Sequence, residues 1–113
     1  MIVDFGLAVQ SEEEDYGYYQ CGTPGYMSPE VISLVEGDFL APVSDVFSAG
    51  VILHILMTGR YLFEGKSPKE VFRANKEMRV DFCQPQYGLL DPSALDLLIK
   101  MLSKDEECRP TAE

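Results

Sequence analysis

Apolar positions are densest between residues 45 and 58, in the stretch Asp45-Val-Phe-Ser-Ala-Gly-Val-Ile-Leu-His-Ile-Leu-Met-Thr58. Its length, about four turns, suits a helix better than a strand. Val46, Phe47, Val51, Ile52, Leu53, Ile55, Leu56 and Met57 would go nearly all the way round such a helix, which predicts burial on every side. The stretch is too short, and too polar at its start, to cross a membrane. Gly59 follows where a helix ends in the left-handed conformation.

Around this axle the pattern is mostly helical. Met1 to Phe5 reads as a short strand ended by Gly6, and Gln10 to Gln20 as an exposed acidic loop containing Glu12, Glu13, Glu14 and Asp15. Cys21-Gly-Thr-Pro-Gly-Tyr26 continues the loop with turn residues. Ser28 and Pro29 suit the cap and first turn of a short helix, and Gly37-Asp38 with Pro42 marks a second loop. Ser67-Pro-Lys-Glu70 is a capping box opening a helix through about Met78. Val80 to Leu90, with Pro85 and Gly88, is irregular. Asp91 then caps a helix with Pro92 at its first position, and Leu95, Leu98, Ile99 and Leu102 give it one buried face. Arg109 to Glu113 reads as the start of another helix. The expected fold class is mainly α with one short strand.

Composition narrows the function. A chain of 113 residues is one domain or part of one, and its 46% apolar share is that of a globular protein. Nine basic against nineteen acidic residues, a net charge of −10, argue against nucleic acid or an anionic membrane as the partner. Cys21, Cys83 and Cys108 are odd in number and widely spaced, which fits neither a metal pair nor a disulfide framework and favours a reducing, intracellular setting, the cytoplasm. No signal peptide is visible at the start.

Two short motifs then fall at a meaningful distance. Asp4-Phe5-Gly6 follows an apolar stretch, and Ser28-Pro29-Glu30 opens a helix after the acidic loop. Between them lies Gly22-Thr23-Pro24-Gly25-Tyr26; after them come Ser44-Asp45-Val-Phe-Ser-Ala-Gly50 and Cys108-Arg109-Pro110. This ordered set resembles the eukaryotic protein kinases across essentially the whole chain, with residues 1–30 matching the activation segment and 31–113 the helical part of the C-lobe. The wording Gly-Thr-Pro-Gly-Tyr resembles the calcium/calmodulin-dependent and calcium-dependent serine/threonine kinases.

The resemblance implies roles residue by residue. Asp4 would hold Mg²⁺ against the phosphates of ATP, with Phe5 packed behind it and Gly6 free to switch. Gly22, Thr23, Pro24 and Tyr26 would shape the pocket beside the substrate hydroxyl, and Thr23 favours serine/threonine specificity. Its bland reading is a turn hydroxyl. Glu30 and Arg109 would form a buried ion pair; otherwise they are two solvated charges. Asp45 would anchor the catalytic-loop backbone, or simply place negative charge at a helix N-terminus. Gly50 implies the close approach of another backbone. Tyr19 stands where many such kinases carry an activating threonine, which puts regulation by phosphothreonine there in doubt.

The pattern also departs from the family. The chain contains no glycine-rich phosphate loop, no Val-Ala-Ile-Lys-like lysine and no His-Arg-Asp catalytic loop with its asparagine. The sole histidine, His54, sits inside the central helix as a packing or partly exposed residue. The expectation is a partial C-lobe, without N-lobe or catalytic loop, that by itself neither transfers phosphate nor binds ATP and Mg²⁺ tightly. In the complete enzyme the partners would be protein substrates. Alone, this chain would seek its missing half or self-associate. A non-catalytic, kinase-like interaction module is the alternative from a different class.

Overall fold

The computed structural model describes residues 1–10, 20–35 and 38–113. The described residues form four α-helices, two of which have first-turn amides relieved by a side-chain cap. They are α1 (Pro29–Ile32), α2 (Val43–Thr58), α3 (Pro68–Lys76) and α4 (Pro92–Met101), with 3-10 turns at Pro85–Leu89 and Glu106–Cys108. Asp91 caps α4 by accepting from the amides of Ser93 and Ala94 at 2.9 and 3.2 Å. Ser67 caps α3 by accepting from the Glu70 amide at 3.3 Å. The return bond of the box is displaced by one residue: the Glu70 carboxylate takes the Lys66 amide, at 2.8 Å, rather than that of Ser67. α2 ends at Gly59, whose φ of 69° closes the helix in the left-handed region.

Three local expectations are corrected. Met1 to Phe5 is not a strand, and no strand occurs among the described residues; a strand needs a ladder partner, and none is present there. Residues 110–113 form no helix. Ser28 occupies the N-cap position of α1, but its side chain makes no capping bond. The acidic run Glu12 to Asp15 lies outside the described residues.

The core is built where α4 lies along α2. Phe47 and Val51 of α2 meet Leu98 of α4 and Leu102 just after it, with Leu62, Phe63 and Ala74 completing the buried cluster. Gly50 faces this contact. A Cβ there would stand 2.9 Å from Met101 Cβ and 3.1 Å from Leu102 Cδ2, so the close approach is to α4 side chains rather than to a backbone. Leu98 of α4 and Leu102 at its C-cap are buried, whereas Ile99 stays 42% exposed.

α2 is not buried all round. Its covered side is Ser44, Phe47, Gly50, Val51 and His54, while Ile52 and Leu56, one turn apart, are exposed. α4 and the 61–63 loop cover only their own sectors. His54 is buried, with Nε2 2.9 Å from the Tyr87 hydroxyl.

Candidate functional site

The Gly22–Tyr26 loop is held from both sides. A turn closes it, the Tyr26 amide donating to the Thr23 carbonyl at 3.1 Å, and Gly22 and Gly25 take positive φ angles of 140° and 94° that side chains resist. From α3, the Asn75 carboxamide accepts from the Gly25 amide at 3.0 Å and donates to the Met27 carbonyl at 2.9 Å. From α2, the Ser48 hydroxyl donates to the Tyr26 carbonyl at 2.8 Å. Three successive residues are thus tied to two helices. Pro24 and Tyr26 line a cleft of about 780 Å³ together with Tyr61, Phe63, Glu70 and Val71. Thr23 is exposed beside it.

Glu30 and Arg109 meet across 79 positions of chain. The guanidinium is forked onto the carboxylate: Nη2 donates to Oε2 at 2.7 Å and Nη1 donates to Oε1. Arg109 also donates to the carbonyls of Ser103, at 2.9 Å, and Val43, at 3.3 Å, and lies 5.2 Å from the Phe47 ring centre. The Ser44 hydroxyl adds a donor to Glu30 Oε1 at 2.7 Å. Burial by itself would raise the Glu30 pKa. The Arg109 and Ser44 hydrogen bonds, with smaller local ones, outweigh it and hold the carboxyl at about 2. This pair ties α1 to the end of the chain beyond α4.

The remaining candidate residues stand apart from this arrangement. Asp4, Phe5 and Gly6 are exposed, and Asp4 has a φ of 65°. Asp45 is exposed in the first turn of α2. Tyr19 lies outside the described residues. Mg²⁺ demands a near-octahedral oxygen shell. Among the described residues no group of three acidic, histidine or cysteine side chains could supply a metal site. Asp4, as one exposed carboxylate, does not by itself make such a site.

The residue that sequence reasoning missed is Asn75. Its signal was present: Val71, Ala74 and Asn75, at i, i+3 and i+4, share one face of α3, and an amide among apolar neighbours needs partners when buried. Ser48 and Ser44 were quoted within a motif without a role of their own. His54 and Tyr87, bonded to each other, join α2 to the 3-10 turn at Pro85–Leu89.

The protein kinase domain family matches residues 1–113. The chain is 35% identical over 112 residues to serine/threonine-protein kinase PEPKR2 of Arabidopsis thaliana, covering 99% of this chain and 23% of that protein. It is 32% identical over 112 residues to serine/threonine-protein kinase 17A of Oryctolagus cuniculus, covering 99% of this chain and 28% of the relative. The chain therefore spans between 23% and 28% of the length of these relatives. With the family matched from the first residue to the last, the chain belongs to the protein kinase domain family.

Proposed function

We propose that this chain is the activation-segment and C-lobe portion of a serine/threonine protein kinase. In its complete form that kinase transfers the γ-phosphoryl group of ATP to a serine or threonine hydroxyl of a protein. The observation that carries the reading is the forked Glu30–Arg109 pair, in which a fully shielded guanidinium ties Glu30, in the first turn of α1, to the residues that follow α4. In the complete enzyme Asp4 is one Mg²⁺ ligand among several, and the Gly22–Tyr26 loop receives the segment bearing the hydroxyl. The two relatives named as serine/threonine kinases support the hydroxyl class. The Gly-Thr-Pro-Gly-Tyr wording supports the calcium/calmodulin-dependent or calcium-dependent group. Three free, exposed cysteines support a reducing intracellular site, with the cytoplasm as the proposed location.

By itself the chain is inactive in this reading. The phosphate clamp, the catalytic base and the second metal ligand of a kinase have no counterpart in its sequence. The test joins it in frame behind the upstream half of the Arabidopsis relative's kinase domain. Transfer of phosphate from ATP to seryl or threonyl peptides, abolished by Asp4→Ala, is the expected result. A second reading, a non-catalytic interaction module, is favoured by the exposed Ile52 and Leu56 on α2. A well-folded joined protein that transfers nothing, while the chain alone binds an intact kinase, would establish that reading instead.

A further inference from the structure

Asn75 is 0% exposed and makes two hydrogen bonds, both to backbone groups of one loop about fifty residues earlier in the chain. Its carbonyl oxygen takes the Gly25 amide, and its NH₂ group reaches the Met27 carbonyl. The same helix face meets the loop a second time. A Cβ added to Gly25 would stand 3.2 Å from Val71 Cγ1, one turn before Asn75. Gly25 also sits at a φ of 94°, a conformation open to glycine and resisted by residues with a side chain. A buried amide whose oxygen and nitrogen both serve one tripeptide specifies that tripeptide's geometry more tightly than packing alone.

We propose that Asn75 is the positioning residue of this loop: from α3 it fixes the Gly25–Met27 backbone, and so sets the wall that Pro24 and Tyr26 present to the cleft. Asn75 touches no substrate and acts only through the loop. The consequence for peptide recognition rests on the kinase reading above; the clamp itself does not. Displacement of α3, whose outer residues are exposed, is transmitted to the loop through the two Asn75 hydrogen bonds, beside the Val71 contact.

Two variants separate the clamp from general stability. Asn75→Asp keeps an acceptor for the Gly25 amide but cannot donate to Met27. Asn75→Leu, of similar volume, supplies neither bond. Amide hydrogen exchange of the chain, read residue by residue by NMR, should show Gly25 protected in the parent protein. Protection should be largely kept in Asn75→Asp and reduced about tenfold or more in Asn75→Leu, the size expected for one lost hydrogen bond. Amides in the middle of α2 and α4 should change far less. In the joined kinase, both variants should raise KM for a seryl peptide about tenfold while kcat stays within about twofold, because a displaced wall weakens binding of ground and transition states alike. Equal loss of protection across the loop, α2 and α4 in both variants would reduce Asn75 to a core residue and overturn the proposal. So would unchanged Gly25 exchange in Asn75→Leu. A fall in kcat at constant KM would overturn the link to peptide binding. If the parent joined protein transfers no phosphate, the kinase reading falls and the exchange pattern alone decides the clamp.

Discussion

Arg109, with a side chain fully shielded from solvent, has its guanidinium forked onto Glu30, whose own side chain is 21% exposed. Such a pair contributes little beyond its own desolvation cost while intact, but removing one partner strands the other charge. Arg109→Ala is therefore expected to cost about 3–5 kcal/mol, towards the lower end because solvent still reaches Glu30. Loss of the Phe47 ring contact acts in the same direction. Lys69→Ala, an exposed surface change, should stay within about 0.5 kcal/mol. Urea denaturation midpoints compare the two; equal small shifts would mean that the pair does not hold the fold together.

The same carboxylate sets an acid limit. The Glu30 pKa is depressed from 4.5 to about 2 in the folded chain, so its stabilising share is complete above the unfolded value and lost as pH falls from 4.5 towards 2. Glu30→Gln should flatten the pH dependence of the melting temperature in that window. His54 acts at milder pH. Burial lowers its pKa below 6.5, with only partial opposition from the Arg60 backbone, so the ring takes up its proton at lower pH in the folded chain than in the unfolded one. Stability that is complete above pH 6.5 then declines as the unfolded state gains the proton below it. Replacing His54 by Gln should remove that milder decline and leave the Glu30 window in place.

How much of this was legible in the sequence follows from the reach of each interaction. Asp91, Ser67 and Gly59 were readable because a cap acts within three or four residues. The strand at Met1–Phe5 was misread because alternation and β-propensity describe a strand only once a neighbour supplies hydrogen bonds. The Glu30–Arg109 contact, 79 positions apart, came from the family resemblance and not from any local pattern. Asn75 was missed for the same reason, since its partners lie 50 and 48 positions away. The circumferential apolar pattern of α2 was read correctly as composition, but burial is a property of the neighbours, which leave Ile52 and Leu56 uncovered.

Gly50 sets two effects against each other. Alanine in a helix interior is worth about 1 kcal/mol over glycine. Its Cβ, however, would lie 2.9 Å from Met101 Cβ, an atom fixed close to the α4 backbone that cannot swing aside. Overpacking of this kind costs about 1–3 kcal/mol. The steric term should win, so Gly50→Ala is expected to lower the melting temperature, and Gly50→Val to lower it further. A stabilised alanine variant would show that α4 can retreat from α2 without loss.

The open side of α2 yields the last prediction. Ile52 is 51% exposed and Leu56 78% exposed, and the N-terminal Ile2, Val3, Phe5 and Leu7 are exposed as well. Covering a side chain such as Ile52 or Leu56 is worth about 1.5–3 kcal/mol, a large share of the roughly 5–15 kcal/mol by which domains are stable. The apolar surface favours association, while a net charge of −10 opposes it through long-range repulsion. Salt screens the repulsion without weakening the apolar attraction. The isolated chain should therefore bind hydrophobic dyes, and its light scattering at low micromolar concentration should rise between low and physiological ionic strength. Ile52→Gln with Leu56→Gln should suppress both signals with little change in the melt, because neither side chain belongs to the buried cluster. Adding the upstream half of a related kinase domain in trans should suppress them too. If scattering instead falls as salt is added, opposite charges rather than the uncovered side of α2 hold the copies together. A salt-insensitive monomer that binds no dye would mean that α2 needs no cover at Ile52 and Leu56, and the case for a missing half resting against this helix would fail.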